Sequence, residues 1–268
     1  VRYIYYENFK NHATPNVALM YKPGKFNFRA SYAAGFRTPT LSELYATDIA
    51  KKNDRLTIGN LDLKPEKNNY FSLSAEYVHE RFSVSVNAFY NNIRDMIDYN
   101  TIATGDKAME QYGHKEVRQR DNIAEAKVHG INVSANAYLG AGFNLSGGYT
   151  HLNTQDVELE QPIDKSIKNA YNINAQWAHS WKIYRLNINL NGRFNSKRFS
   201  KSYGYAPEYQ LWDLNTRHSF NLKSVIIEPG CGMENLFDYM DDRPYNSNYA
   251  TLTPGRSFYI SLSLKFKS

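Results

Sequence analysis

The side chains that could carry out chemistry are dispersed along the chain. Of its seven histidines, none is spaced from another histidine or a carboxylate as in a zinc site. Acidic residues gather at 238–242 and between Asp48 and Glu66, without the regular spacing and central glycine of a calcium loop. The chain contains no Gly-x-Ser-x-Gly elbow, no phosphate-binding glycine loop and no Cys/His pair. We therefore predict that the protein is not an enzyme and holds no metal or cofactor.

Cysteine usage and the distribution of charge argue against two further classes of protein, disulfide-bonded domains and nucleic-acid-binding proteins. Cys231 is the only cysteine, so an internal disulfide framework is excluded, and we expect a buried, unreactive thiol. The formal net charge is +6, but lysine and arginine are scattered among strand ends and loops. Nucleic-acid binding would need them in a stripe with interleaved aromatics. The charge fits cationic loops that face lipopolysaccharide or an anionic ligand.

Composition indicates a membrane protein built from strands. Of the 268 residues, 15% are aromatic and 22% are charged, and the mean hydropathy is −0.62. A transmembrane barrel reconciles these values, because alternate residues face lipid and a polar lumen and aromatic girdles lie at both interfaces. No apolar run reaches the roughly 18 residues that a spanning helix needs. Val1 begins no signal peptide, so we expect a removed signal or a missing N-terminal portion.

Alternation with period two is the strongest pattern. In the last segment one face carries Phe258, Ile260, Leu262, Leu264 and Phe266, and the other face carries serines and a lysine. The same alternation recurs at 26–32, 71–77, 82–90, 184–190 and 212–220. Successive strand residues point to opposite faces, so each segment predicts a strand with one lipid-facing and one lumen-facing side.

Connections alternate between short and long. Tight turns are predicted at 23–24, 79–80, 140–142, 181–182 and 223–224, and polar loops at about 37–66, 102–116, 154–165, 196–208 and 240–255. Short periplasmic turns and long extracellular loops are typical of an outer-membrane barrel. We predict an all-β, antiparallel, up-and-down transmembrane β-barrel, with about 12 strands covered. A soluble β-sandwich would also alternate, but several segments reach ten residues, longer than sandwich strands.

Four segments resemble the C-terminal half of the TonB-dependent outer-membrane receptors. Residues 32–45 (YAAGFRTPTLSELY) are similar to the strand that ends in the family's "GFRAP" box, and residues 59–67 (GNLDLKPEK) to its "GNPDLKPE" box. Residues 126–133 (AKVHGINV) take the place of a "GVE" strand, with Asn132 for the glutamate. Residues 234–238 (ENLFD) and 254–258 (PGRSF) are similar to the family's ending. The motif positions are Phe36, Arg37, Pro39, Asn60, Asp62, Leu63, Pro65, Glu66, Asn235, Phe237, Asp238 and Phe266.

The resemblance implies a 22-stranded barrel with an N-terminal plug domain, of which residues 1–268 supply roughly the last half. It also implies residence in the outer membrane and contact with its lipid and lipopolysaccharide. The implied activity is energy-coupled uptake of a scarce small-molecule or chelate ligand, with siderophore, haem, corrinoid and glycan all left open as its class. Coupling to the TonB complex would use a box absent from this chain. The family usually stops on an aromatic residue, so Phe266 is the expected recognition residue for barrel insertion. The alternative is a self-contained barrel of about twelve strands, such as an autotransporter translocator or a lipase.

Six side chains are the candidates for ligand binding: Arg37, His114, His151, Tyr203, Tyr205 and Tyr245. Arg37 could contact ligand or plug, or could lock a turn by donating to loop carbonyls. His114 and His151 could contact ligand or form polar surface. The tyrosines could stack on a ring-bearing ligand or belong to an interfacial girdle.

Overall fold

A computed structural model describes residues 1–6, 9–123, 125–242 and 248–267. The elements of the first half are β1 (Arg2–Tyr6), β2 (Lys10–Thr14), β3 (Asn16–Tyr21), β4 (Phe26–Arg37), α1 (Leu41–Tyr45), β5 (Thr47–Ala50), β6 (Arg55–Ile58), β7 (Glu66–Val78), β8 (Phe82–Arg94), β9 (Ile97–Thr104), α2 (Gly105–Tyr112) and β10 (Glu116–Asn122). Those of the second half are β11 (Ala126–Gly140), β12 (Phe143–Asp156), β13 (Asn169–Trp181), β14 (Tyr184–Asn195), β15 (Arg198–Ser200), β16 (Gly204–Ala206), β17 (Tyr209–Asn221), β18 (Val225–Glu234) and β19 (Ser257–Phe266).

The main sheet confirms the predicted up-and-down architecture. Its order is β19-β18-β17-β14-β13-β12-β11-β8-β7-β4-β3, and every neighbouring pair is antiparallel. The sheet has eleven strands within the described residues, against about twelve predicted. The short turns fall at the predicted positions, between strands that end and begin within a few residues of each other. Among the residues that the structure describes, the sheet is not closed, since no ladder joins its edge strands β3 and β19.

The outer face of the sheet is apolar and uncovered. Ladder partners share a face, so the row Phe220, Ile227 and Leu264 continues across β17, β18 and β19. On β19, Ile260 is 89% exposed and Phe266 82%. Burial would remove such side chains from water in a soluble protein, and an apolar outer face of this kind is typical of a transmembrane barrel.

Cys231 is a correction to the sequence analysis. It was expected to be buried, yet it is exposed on the outer face, opposite Ile260 and Thr216. Its sulfur lies 3.2 Å from the Thr216 hydroxyl. Burial was expected because free cysteines are usually buried, whereas here Cys231 lies on an apolar face that points outward.

The inner face carries the polar partners of the same strands. Asn189 and Asn215 are directly opposite each other on β14 and β17, and Ser263 of β19 is opposite Glu228 of β18. Glu228 also pairs with Lys265 Nζ at 2.6 Å. The alternation predicted from sequence is therefore confirmed, with a hydrophilic inner wall.

A second layer lies at the end of the sheet where the long connections are. There β5, β6, β10 and β9 form a four-stranded sheet in which β6 and β10 are parallel. Val117 and Ala108 are 0% exposed in this layer, so it has a small core of its own. Only polar loops were predicted there from the sequence. No helix within the described residues is long and apolar enough to cross a membrane.

Candidate functional site

The inner face forms a wall of amide and hydroxyl groups. A concavity of about 400 Å³ opens on it, with a lining that includes Asn174, Gln176, Asn187, Asn189, Asn215, Arg217, Tyr259 and Ser261. Asn174 Nδ2 donates to Asn189 Oδ1 at 2.7 Å and to Asn191 Oδ1 at 2.5 Å. Amides both donate and accept, so this wall can exchange hydrogen bonds with water and with a polar solute that passes along it.

Arg37 lies at the long-loop end of this wall, between two carboxylates. Its Nε donates to Glu66 Oε2 at 2.7 Å and its Nη2 to Glu66 Oε1 at 2.6 Å. Its Nη1 donates to Glu43 Oε2 at 2.9 Å. We call Arg37, Glu43 and Glu66 the Arg37 cluster. Bidentate pairing of this kind is among the stronger ionic contacts in proteins, and it fixes the end of β4 to α1 and to the start of β7.

Glu43 also closes the first turn of α1. Thr40 Oγ1 accepts from the Glu43 backbone N–H at 3.2 Å, and Glu43 Oε2 accepts from the Thr40 backbone N–H at 2.8 Å. This is a capping box. Partial burial alone would raise the pKa of Glu43, but the hydrogen bonds from Arg37 and Thr40 outweigh it and lower the pKa below the usual 4.5. The carboxylate is thus held charged at neutral pH.

The second family motif packs the same loop against its neighbour. Gly59 has no room for a side chain, because a Cβ there would lie 2.5 Å from the Leu44 carbonyl oxygen. Asn60 Oδ1 accepts from the Asp62 backbone N–H at 2.9 Å, which closes a turn. Leu63 is 4% exposed and Pro65 is buried. These positions therefore shape the loop.

Asn122 joins this loop to the next one. Its Oδ1 accepts from the Lys64 backbone N–H at 2.6 Å, and its Nδ2 donates to the Lys64 and Asp95 carbonyls at 2.9 and 2.7 Å. Three backbone groups from two connections thus depend on one amide. Asn122 was not predicted from the sequence, because nothing local marks an asparagine whose partners lie far along the chain.

The last motif forms a set of hydrogen bonds after β18, made by Asn235 and Asp238, which we call the clasp. Asn235 is 3% exposed; its Nδ2 donates to the Tyr239 carbonyl at 2.7 Å and its Oδ1 accepts from the Tyr239 N–H at 2.9 Å. Asp213 Oδ1 accepts from the Asn235 N–H at 2.9 Å. Asp238 Oδ1 accepts from the Arg256 N–H at 2.7 Å, which ties the two ends of the final loop together. Each of these contacts is a hydrogen bond between a side chain and a backbone group.

The remaining motif positions lie nearby or on the outer face. Phe237 is 63% exposed, with its ring centroid 6.5 Å from that of Trp212 in an edge-on arrangement. Phe266 lies opposite Val225 on the outer face. Pro39 is buried and Phe36 is half-buried at the end of β4. Phe266's role in barrel insertion stays a prediction.

Replacing Asn235 by glycine should isolate the contribution of the clasp. Asn235 has φ 52°, which glycine adopts without strain, so only the two side-chain hydrogen bonds are lost. We expect the free energy of unfolding to fall by about 1–2 kcal/mol, measured by urea denaturation in lipid vesicles. Glu160→Gly is the matched control, because Glu160 has φ 49° and is exposed. Equal effects of the two changes would contradict a role for the amide.

The two candidate histidines lie in different environments and have partners. His114 Nδ1 is 2.9 Å from Asp54 Oδ1, and this hydrogen bond lowers the pKa of Asp54. His151 occupies an outer-face position on β12, opposite Ile131, with its Nδ1 2.8 Å from Asn169 Oδ1. The pairing of His114 with a carboxylate was not visible in the sequence, because 60 residues separate the partners.

Tyr203 lies in the turn of the β15–β16 hairpin, and Tyr205 lies in β16 opposite Phe199. The two tyrosines are 52% and 53% exposed, and the Tyr205 ring lies 5.4 Å from that of Phe199. Asn248 braces this hairpin by donating to the Gly204 carbonyl at 2.9 Å and accepting from Arg198 Nε at 3.3 Å. Tyr245 lies outside the described residues. Ligand binding by any of the six candidates stays a prediction.

Metal-ligating groups are not assembled in the part of the chain that the structure describes. No cluster of three or more histidine, cysteine, aspartate or glutamate side chains there could hold a metal ion. The long-loop end of the sheet, which we call the rim, instead presents side chains that anchor the loops by hydrogen bonds, together with exposed tyrosines.

Comparison with known proteins identifies the family. The family model described as "TonB dependent receptor-like, beta-barrel" matches residues 1–236. This chain belongs to that family. The TonB-dependent receptor barrel is thus the fold that the alternating strands and the four motifs predicted, and that prediction is confirmed.

Solved structures of TonB-dependent receptor barrels have the same fold. A mutant of the ferric enterobactin receptor PfeA from Pseudomonas aeruginosa has a TM-score of 0.74 at 19% identity, covering 97% of this chain and 41% of that one. The siderophore receptor PirA from Pseudomonas aeruginosa has a TM-score of 0.69 at 16% identity, covering 98% of this chain and 43% of that one. BauA, the ferric preacinetobactin receptor from Acinetobacter baumannii, has a TM-score of 0.68 at 19% identity, covering 96% of this chain and 36% of that one. The chain therefore spans about two fifths of the length of these structures.

Proposed function

We propose that this chain is the C-terminal part of the membrane-spanning barrel of an outer-membrane receptor that takes up a scarce ligand. The observation that carries the proposal is the two-faced sheet: an uncovered apolar outer face and an inner wall of hydrogen-bonding side chains, in a family of receptor barrels. Such a wall lets a polar solute exchange hydrogen bonds as it crosses the bilayer. The proposed activity is transport without a catalytic step.

The orientation follows from the connections. Long connections gather at one end of the sheet and two- to four-residue turns at the other, and outer-membrane barrels place long loops outside and short turns in the periplasm. The rim with the Arg37 cluster then faces the medium. An N-terminal plug domain and the TonB complex are the proposed partners for gating and energy.

An iron chelate is the proposed ligand class, ahead of haem, corrinoids and glycans. The support comes from the names of the similar structures. Two are named as receptors for ferric enterobactin and ferric preacinetobactin, and the third is named as a siderophore receptor. Arg37 would not act as a free cation for such a ligand, because two glutamates occupy its donors. We assign it to loop positioning, and assign first contact with a ring-bearing chelate to the exposed Tyr203 and Tyr205.

A self-contained barrel of about twelve strands is less well supported. Such a barrel needs its first and last strands to pair. In the described residues β3 and β19 remain edges of an open sheet, and exposed edges of this length invite pairing with further strands. The strands that complete the barrel are more simply supplied by the rest of a longer receptor.

Uptake by the full-length receptor tests the proposal. A strain that lacks the gene should take up a radiolabelled ferric siderophore at a rate at least about tenfold lower than the complemented strain, because a chelate of this size does not pass porins. Collapse of the proton-motive force should abolish the difference. Labelled haem, corrinoid and oligosaccharide serve as parallel arms that identify the ligand class.

A matched pair of substitutions locates the path. Asn189→Trp adds bulk to the inner wall and so narrows the lumen, whereas Ile188→Trp places the same side chain on the outer face one residue away. We expect slower uptake with the first and unchanged uptake with the second, at equal receptor levels. Uptake that persists without energy coupling, or no uptake in any arm, would overturn the proposal.

A further inference from the structure

Positive charge is concentrated at the short-turn end of the sheet. The long connections from β4 to β7, β8 to β11, β12 to β13, β14 to β17 and β18 to β19 contain 18 acidic and 15 basic residues. The five short turns and the residue after β19 contain one acidic residue, Glu80, and six basic residues, which we call the turn cations: Lys22, Lys25, Arg81, Lys182, Lys223 and Lys267. The short-turn end thus carries +5 and the long connections −3. The cationic loops expected from the sequence are therefore the short turns.

The turn cations form a row along one edge of the sheet. Each short turn joins two neighbouring strands, and neighbouring strands lie about 4.8 Å apart, so successive turns are about 10 Å apart. The row extends across all eleven strands, from Lys22 after β3 to Lys267 after β19, or roughly 50 Å along the sheet. A small anion could meet one or two of these side chains, whereas a long polyanion could meet all six.

The turn cations are exposed and uncompensated. All six are exposed, and none forms an ion pair within 4.0 Å in the part of the chain that the structure describes. Lys267 Nζ donates to the Leu222 carbonyl at 2.7 Å, which holds it against the neighbouring turn. The spacing between turns is about one Debye length at 0.1 M salt. Each cation can therefore hold a separate anionic group.

The ladders direct three of the turn cations away from the lipid-facing side. Lys25, Arg81 and Lys267 are each adjacent in sequence to a phenylalanine of the outer face, at positions 26, 82 and 266. Their backbone groups continue the ladders, with hydrogen bonds of 2.9, 2.7 and 3.1 Å to the neighbouring strands. Successive residues point to opposite faces, so these cations point to the lumen side. This arrangement disfavours lipid headgroups as their partner.

We propose that the turn cations are a docking surface for peptidoglycan. In the proposed orientation this end of the barrel faces the periplasm, where the cell wall lies. Peptidoglycan is a polymer whose stem peptides carry free carboxylates on flexible chains, and it offers many such groups over tens of ångströms. Several weak contacts to one polymer act together, so their joint affinity exceeds that of any single contact. The inference rests on the proposed orientation, and it assigns no part of ligand uptake to this surface.

Sedimentation of the full-length receptor with purified peptidoglycan sacculi tests the inference. The detergent-solubilised receptor should sediment with sacculi at low salt and be released at about 0.5 M salt, where the Debye length is below about 5 Å. Lys22→Gln, Lys25→Gln, Lys182→Gln and Lys223→Gln together should weaken binding on the order of 50-fold, since an exposed ion pair contributes about 1.4- to 5-fold.

The matched control removes equal charge from the long-loop end. Lys51→Gln, Lys52→Gln, Lys107→Gln and Lys201→Gln replace four exposed lysines and should leave sedimentation unchanged. Heat-modifiability of both fourfold variants checks that each barrel is folded. Wild-type sedimentation of the folded turn variant, or equal weakening by the control, would overturn the docking surface.

Further arms separate carboxylate polymers from lipid. Sacculi whose carboxylates have been amidated should bind at least about tenfold more weakly. In nanodiscs that contain phosphatidylglycerol, the turn variant should enrich that lipid as the wild type does. Loss of this enrichment with unchanged sedimentation would assign the turn cations to the inner leaflet and overturn the inference. Sedimentation by a receptor that takes up no ligand would instead contradict the proposed function alone.

A labelling arm checks the orientation separately. Lys182→Cys in a Cys231→Ser background should react with a membrane-impermeant maleimide only after the outer membrane of the cells has been permeabilised. Labelling of Lys182→Cys in intact cells would place the turn cations outside and overturn the inference.

Discussion

Replacing Leu262 by arginine should lower the free energy of unfolding in a bilayer by about 2–4 kcal/mol. Leu262 is 65% exposed on the outer face, near the middle of β19. An arginine there must bring a guanidinium into hydrocarbon or thin the bilayer around it. Urea denaturation of the receptor folded into lipid vesicles gives the value directly. In cells, the same change should reduce the amount of heat-modifiable barrel in the outer-membrane fraction.

Ser263→Arg is the control, one residue further along the same strand. Ser263 lies on the inner face opposite Glu228, so its arginine would meet water and a carboxylate. We expect a change of less than about 1 kcal/mol. Equal destabilisation at the two positions would mean that β19 has no distinct lipid-facing side, and the assignment of the whole sheet to a membrane would fail with it.

The strands could be predicted because the alternation of side chains in each strand depends only on what lies on its two sides. A strand with lipid on one side and water on the other must alternate with period two, and the serines between Phe258 and Phe266 show this without knowledge of any partner. Turn positions followed for the same reason, since Pro23, Gly24 and the glycines at 140 and 142 suit tight turns by themselves. Register then fixed which residues share a face.

The layer of loops could not be predicted, because its contacts join distant segments. β6 pairs with β10 in parallel across about 60 residues, and Asp54 meets His114 over the same interval. Neither segment has a sequence pattern that identifies the other as its pairing partner. The motif positions were recognised, but their function as loop anchors depends on partners such as Asn122 and Asp213, whose residue types are ordinary in loops.

Replacing Arg37 by alanine should release the connection between β4 and β7. Glu43 and Glu66 side chains are 12% and 16% exposed, and without Arg37 they would repel each other with little solvent to screen them. Breaking a buried pair costs about 3–5 kcal/mol, and the 44% exposure of Arg37 reduces this to about 1–3 kcal/mol. Limited proteolysis between residues 38 and 65 should then be about 5- to 150-fold faster.

Three comparisons separate the cluster from general destabilisation. Lys51→Ala removes an exposed cation from the same loop and should leave the cleavage rate unchanged. Arg37→Lys should recover only part of the protection, because an ammonium group cannot pair bidentately with two carboxylates. Glu43→Gln combined with Glu66→Gln in the Arg37→Ala background should cleave more slowly than Arg37→Ala alone, because no uncompensated carboxylate remains.

The pH dependence of the wild-type loop follows from the same contacts. Because the pKa of Glu43 is lowered in the folded state below the usual 4.5, its contribution is fully present above that value. It is lost as the pH falls through the folded pKa. Cleavage by an acid-active protease should therefore accelerate in the wild type below about pH 4.5, and much less in Arg37→Ala, where the contact is already gone. A loop equally resistant at neutral and acidic pH would show that the Arg37 cluster does not hold it.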